Sequence, residues 1–461
     1  MEREKRRKTR RHSKKEICTT GFYLPDECWE SIFKFIISDN SDIYNCRYLE
    51  SLSLVSKQFL SVTSRLQYSL TIGDSTRRLL PRLFQRFTNL TSLNLASFKG
   101  DIDGLLCKIS RFPLSLKSLN LSYKPTIPTN GLRVFSQNIT TLTSLTCSNV
   151  VCINDTDLFF IADYFPLLEE LDLHSPKKLE NYESLRNGLK ALSSALFKLR
   201  KINLTGHHYI TDQSLFQLFK NWKLLEEAVI FCCDQITNSG IAIALCERPT
   251  LRSLSFSYLE PADSATFPAL VSNCPSLSEI SLESRRRNIV NYNPFVVCPQ
   301  LKSLCLAKSY WLSEESIKIL VSLFPNLQLL DLSYFRNISG EGICQVLRRC
   351  SNIRHLNLTH SLGVNLHGIN FEFPRLEVLN LCHTKVDDET LYIISKSCRR
   401  LLQLLLKHCC NVTEKGVKHV VENCTQLKEI NLVGCLKVNA NVVAVFSRPL
   451  LRMITAPPFF H

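Results

Sequence analysis

Residues 401–426, "LLQLLLKHCCNVTEKGVKHVVENCTQ", carry two different hydrophobic periods within one short stretch. Leu404 and Leu406 alternate with their neighbours, the period of a strand. Further on, Val417, Val420, Val421 and Cys424 fall at i, i+3, i+4 and i+7, one face of a helix. Thr413, followed by Glu414, stands where a helix N-cap is expected. The stretch therefore reads as strand, turn, helix and return. Such a unit has an apolar face that it cannot bury alone, so neighbouring units must stack.

The same LxxLxL spacing recurs along the chain. It starts at Leu90, Leu116, Leu142, Leu168, Leu199, Leu225, Leu251, Leu277, Leu301, Leu327, Ile353, Leu376, Leu401, Leu427 and Leu451, at intervals of 23 to 31 residues, mostly 26. The helical period recurs between the strands, as Leu215, Leu218, Phe219 and Trp222 after Thr211. It returns as Ile317, Leu320, Val321 and Phe324 after Ser313. Fifteen units at one period predict a solenoid with a parallel sheet on one side and helices on the other. At about 4.8 Å per strand, the expected inner arc is roughly 65–70 Å, suited to a folded partner or an extended peptide.

Eight of the twenty cysteines follow the same period. Cys233, Cys409 and Cys435 stand three positions after a last strand residue; Cys274, Cys298, Cys350, Cys398 and Cys424 stand three before a first one. Phe165, Trp222, Phe324 and Phe373 occupy the second slot in other units, so both slots are expected to be buried and apolar, with reduced thiols. No CxxC…CxxC or HExxH spacing, P-loop or nucleophile elbow is present, so the pattern offers no metal centre and no catalytic constellation.

The 461 residues are 45% apolar and 21% charged, a balance typical of a globular chain, with no apolar window long enough to span a membrane. The net charge of +15 is concentrated at the start, where residues 1–16 hold nine Lys or Arg against three Glu. Residues 1–20 are read as a disordered basic tail, either a solvated segment or a nuclear signal. Nucleic-acid binding is not expected, because the remaining charge is spread over the other residues. No secretory signal is read, which leaves nucleus or cytoplasm as the expected location.

One stretch lacks the repeat spacing: "LPDECWESIFKFII", residues 24–37, followed by "LESLSLVSKQFLSVTSRL", residues 49–66. Three short apolar helices are expected over residues 21–68, with the solenoid over 69–461. The repeats resemble leucine-rich repeats of the cysteine-containing subclass. The N-terminal segment resembles an F-box, through Leu24, Pro25 and Glu27 and then Leu52, Val55, Lys57 and Phe59, with Ser56 and Phe59 where the family usually has Cys and Trp. Together these resemble an F-box/leucine-rich-repeat protein of plant type. The resemblance implies a right-handed α/β horseshoe behind a three-helix F-box. It further implies a non-catalytic specificity subunit of a Skp–cullin–F-box ubiquitin ligase, linked to cullin and RING subunits through a Skp-type adaptor. Adaptor contacts then fall to Leu24, Pro25, Ile32, Phe33, Leu52, Val55 and Phe59. The alternative is a protein-binding scaffold whose F-box-like segment only caps the solenoid.

Substrate contacts are expected from residues just past the strands. The candidates are Phe231 and Lys407 at the seventh position of their units, and Tyr258, Tyr334, His360, His383 and His408 at the eighth. Arg285, Arg286 and Arg287, in the least regular unit, suit an acidic or phosphorylated segment. No cofactor is assigned; an inositol phosphate or other small ligand would need basic residues from several units.

Overall fold

The computed structural model describes residues 24–38, 42–257, 272–283, 297–309, 313–335, 338–364, 367, 372–439 and 450–455. The basic tail, Tyr258 and Arg285, Arg286 and Arg287 lie outside the described residues. The described chain forms two compact units. The first runs to Leu70 and includes Arg78–Leu90; the second holds Thr71–Arg77 and continues from Thr91.

In the first unit, helices α1 (Asp26–Ser38), α2 (Asp42–Ser53) and α3 (Lys57–Arg65) pack around a small apolar core. Phe33, Leu49, Val62 and Leu66 are buried, with Trp29, Ile37, Leu52 and Phe59 packed against them. Trp29, Phe33 and Phe59 form an aromatic triangle, with centroids 4.6 Å apart for Trp29 and Phe59 and 4.9 Å for Phe33 and Phe59. Polar contacts join α1 to α3. Arg65 bridges Asp26 at 2.9 Å and Glu30 at 2.6 Å. Gln58 donates to the Leu24 carbonyl and to Asp26 Oδ1. These bonds, from Gln58 first and Arg65 second, hold the Asp26 carboxyl below the usual carboxylate range. Ser56 is the N-cap of α3, its hydroxyl accepting from the Phe59 N–H at 3.1 Å.

The second unit is an α/β leucine-rich-repeat solenoid. Fifteen repeats each contribute one strand to a continuous parallel sheet, from Ser92–Asn94 to Arg452–Ile454. The pairing holds one register from repeat to repeat, as in Leu93↔Leu119, Leu330↔Leu356 and Leu404↔Ile430, until the last strand, where Met453 and not Ile454 meets Ile430, one residue off the spacing read from Leu451. Before that strand the fourth and sixth positions are buried, while the third and fifth, on the open face, are half-buried or, at Glu170, Lys201, Glu279 and His355, exposed. Helices Asp212–Asn221, Glu314–Ser322 and Glu414–Asn423 cover the other face, with Thr211, Ser313 and Thr413 as their N-caps. Acidic residues in the first turn of one helix also bind the start of the next: Asp388 accepts from the N–H and hydroxyl of Thr413, and Asp212 does the same for Thr237. The 31-residue repeat from Leu168 and the repeat before it add a two-stranded sheet, Cys152–Ile153 with Lys178–Leu179, that the repeat pattern does not announce.

The cysteine slots differ from each other. The slot before the strand is buried and apolar in most repeats, with Cys274, Cys350, Cys398 and Cys424 sharing it with Trp222 and Phe324, but Arg248 is buried in it before Leu251 and Pro113 is exposed before Leu116. The slot three positions after the strand is not purely apolar, which corrects the expectation. It also holds Lys124, His207, Ser309, Ser361 and Thr384, all buried. The reason is a carbonyl. Lys124 Nζ, His207 Nε2, Cys233 Sγ, Ser309 Oγ, Ser361 Oγ, Cys409 Sγ and Cys435 Sγ each donate to the last strand carbonyl of the preceding repeat. A buried carbonyl needs a donor, and residues as different as Lys, His, Ser and Cys supply one.

Candidate functional site

Eight of the strands end in the same way. The side chain at the fifth position, Asn in six repeats and Asp in two, accepts from the backbone N–H two residues on, as Asn120 does from Ser122, Asp331 from Ser333 and Asn357 from Thr359. Beyond it the eighth residue lies in the left-handed region, Tyr123 at φ 62°, Tyr334 at 63°, His360 at 59° and His383 at 57°, and His408 adopts the same backbone at 59° although Leu405 stands at the fifth position of its repeat. Such backbone costs about 1–2 kcal/mol for a non-glycine residue. A ladder of hydrogen bonds offsets it, since the eighth N–H donates to the seventh carbonyl of the next repeat. The distances are 2.7 Å from Tyr334 to Thr359, 3.0 Å from His360 to Cys382, 2.8 Å from His383 to Lys407 and 2.8 Å from His408 to Val433.

The ladder continues the strand spacing past the strand ends, and side chains at the eighth position become neighbours. Tyr334 stacks on His360 at 4.5 Å between centroids, His360 on His383 at 4.2 Å and His383 on His408 at 4.6 Å. The first two pairs are within 16° of parallel. The column ends over Gly434, where a Cβ would lie 2.3 Å from His408 Nδ1 and φ is +76°. Partial burial, then the neighbouring His360, His408 and Lys407, lower the pKa of His383. Four of the sequence-derived candidates are thereby assembled into one feature, and Lys407 is exposed beside His408. Phe231 is half-buried in a repeat four units earlier and is not part of it.

The middle of the open face carries a second feature. Glu169, Arg200, Glu226 and Arg252 alternate in sign at the second position of consecutive repeats, and Glu170, Lys201 and Glu227 do so at the third. Glu170, Lys201 and Glu227 line a shallow hollow of about 240 Å³ together with Thr146, Asp172 and Asn203. Asp172 also holds His174 Nδ1 at 2.7 Å. The signal for this pattern was present in the sequence, as opposite charges one repeat apart. It becomes visible once the strand register is known.

In the three-helix unit the residues sort by burial. Phe33 is 1% exposed, and Phe59 and Leu52 pack against the same core. These three hold the module together from inside, which corrects the expectation that Phe33 offers a contact surface. The apolar residues that face outward are Ile32, Phe35, Ile36, Leu54, Val55 and Leu60, with Phe35 at 74%, Leu54 at 87% and Val55 at 65%. Pro25 is exposed and Leu24 half-buried. Phe35, Ile36 and Leu60 were not among the sequence candidates, because the motif records residue type and not which side of a helix faces outward.

Among the described residues no group of three or more His, Cys, Asp or Glu is placed to hold a metal, and no helix is long and apolar enough to cross a membrane. Burial pushes the thiols up, Cys409 to about 11 and Cys435 to about 12, so these sulfurs stay protonated and unreactive.

No family model matches the chain. It is 25% identical over 239 residues to F-box/LRR-repeat protein 4 of Bos taurus, a match that covers half of this chain and 36% of that relative's length. Among solved structures it resembles a chain of the yeast Rad7 and Elc1 complex, at 18% identity and a TM-score of 0.50, over 92% of this chain and 97% of that one. It also resembles the leucine-rich repeat-containing protein LegL7 from Legionella pneumophila, at 15% identity and a TM-score of 0.43, over 67% and 89%. The chain thus has a leucine-rich-repeat fold and is similar over half its length to an F-box/leucine-rich-repeat protein, of which it spans about a third.

Proposed function

We propose that the chain is a substrate receptor of a Skp–cullin–F-box ubiquitin ligase. Its helical unit docks on a Skp-type adaptor, and the repeats hold a protein substrate for ubiquitination. The observation that carries this reading is the outward apolar surface of the helical unit. Phe35, Leu54 and Val55 remain exposed while Phe33, Leu49, Val62 and Leu66 already complete the core. Several large apolar side chains left exposed on a small module with a filled core suit a binding face. On this reading the chain forms no bonds itself and acts by proximity, presenting a lysine of the substrate to a transferase held in the same assembly.

The test is co-purification of the full chain with a Skp-type adaptor, compared with Leu54→Asp and Val55→Asp variants. Both positions are exposed, so the variants are expected to stay folded and to lose the adaptor. Failure of the folded native chain to retain an adaptor would leave the repeats as a protein-binding scaffold and overturn the receptor reading.

A further inference from the structure

The column Tyr334–His360–His383–His408 is the one aromatic ladder of its length among the described residues, and its surroundings are one-sided in charge. Five consecutive repeats place residues 333–337, 359–363, 382–386, 407–411 and 433–437 at their seventh to eleventh positions. None of these segments contains Asp or Glu. They contain His360, His383, His408, Lys385, Lys407 and Lys437, and all three lysines are exposed. Among the nine earlier repeats, three carry a carboxylate in the corresponding segment, Asp234, Glu260 and Glu283, and none places three imidazoles in successive units there.

The nearest acidic residues of the same repeats are engaged elsewhere. Asp331 accepts from Asn357 Nδ2 at 2.9 Å, Glu377 pairs with Arg354 at 3.3 Å and Asp387 with His367 at 3.0 Å. The rim is therefore a strip of cations and imidazoles without internal counter-charges. We propose that this rim binds an acidic segment of a protein partner, with carboxylates accepting from the imidazole edges and from Lys385, Lys407 and Lys437. Refining the substrate side of the receptor reading, the proposal is tested without the adaptor.

Ring geometry separates this partner from a single-stranded nucleic acid. Bases bind aromatic platforms face to face. Here the faces of His360 and His383 are covered by their neighbours, and that of His408 by the backbone at Gly434. What the column presents is its edge, where the ring nitrogens lie. Imidazole edges suit carboxylates, as charge-assisted donors once protonated. Binding should accordingly strengthen as the pH falls through the ordinary histidine range. The groups that decide this are His360, His383 and His408 with Lys385, Lys407 and Tyr334 around them. Burial, His360, His408 and Lys407 lower the pKa of His383.

The experiment is fluorescence anisotropy with the full chain, using a labelled Glu-rich peptide and the same peptide with Gln at every Glu. The expected result is binding of the Glu peptide only, several-fold tighter near pH 6 than near pH 7.5. A His360→Gln/His383→Gln/His408→Gln variant should lose about tenfold in affinity and most of the pH dependence. Because that variant disturbs the column, Lys385→Glu/Lys407→Glu, at exposed positions, is the second probe and should lose binding as well. Equal binding of the two peptides, or undiminished binding by both variants, overturns the proposal. Tighter binding of a labelled oligo-dT through the same residues would also overturn it, in favour of nucleic acid. Adaptor co-purification by the same variants should be unchanged, which separates failure here from failure of the receptor reading.

Discussion

At the scale of single residues, two positions show how the repeat backbone sets side-chain chemistry. Gly434 is the eighth residue of its repeat and the place where the ring column stops. Gly434→Ala puts a methyl group into the His408 ring and a non-glycine residue at φ +76°. An expected loss of about 1–2 kcal/mol should appear as a lower urea midpoint, with displaced His408 ring resonances. His207 is fully buried; its Nε2 donates to the Leu173 carbonyl and its Nδ1 accepts from the Tyr209 hydroxyl. Burial brings its pKa down to about 4. In the unfolded chain it titrates near 6.5, so between those values the unfolded state binds more protons and stability falls as the pH falls. Stability should drop by about 3 kcal/mol between neutrality and pH 4 from this residue, an effect that His207→Gln should reduce in urea titrations at the two pH values.

At the scale of elements, the helical unit separates inner from outer side chains. Phe33→Ala opens a cavity in a core of few residues and should cost about 3–5 kcal/mol, read as loss of the α1–α3 transition in thermal melts. Val55→Asp, on the outside, should change stability by no more than about 0.5 kcal/mol. The helix starts of the solenoid form a comparable pair-by-pair chain. Asp388 is in the first turn of its own helix and also receives the N–H and hydroxyl of Thr413 in the next repeat. Asp388→Ala should cost about 1–2 kcal/mol and weaken the coupling between these two repeats, seen as faster hydrogen exchange in Glu414–Asn423.

At the scale of the whole molecule, stability should be distributed along the array and not concentrated in one core. Each repeat packs against its neighbours, so opening is expected to begin where a strand has least cover. Strand Arg452–Ile454 is half-buried throughout, whereas the fourth-position residues Leu330, Leu356 and Leu404 are at most 2% exposed. Native-state hydrogen exchange should find the amides near Arg452–Ile454 least protected and those of Leu329–Asp331 among the most. Uniform protection across these strands would contradict a repeat-by-repeat mechanism.

The sequence by itself determined the strand and helix of the regular repeats, the N-caps Thr211, Ser313 and Thr413, and the buried slot before most strands. All of these follow from local periods and from hydrogen-bonding groups within a few residues. It also marked Tyr334, His360, His383 and His408 as equivalent positions. Only the tertiary structure decided that their rings stack. The turn at Asn357 or Asn380 and the left-handed residue after it are local, but the ladder that places one ring on the next joins residues 23 to 26 positions apart. The same holds for the donor slot of Lys124, His207 and Cys409, whose carbonyl partner belongs to the preceding repeat. Phe33 and Val55 differ in the same way: both are apolar residues of one motif, and packing between helices alone decides which is core and which is surface.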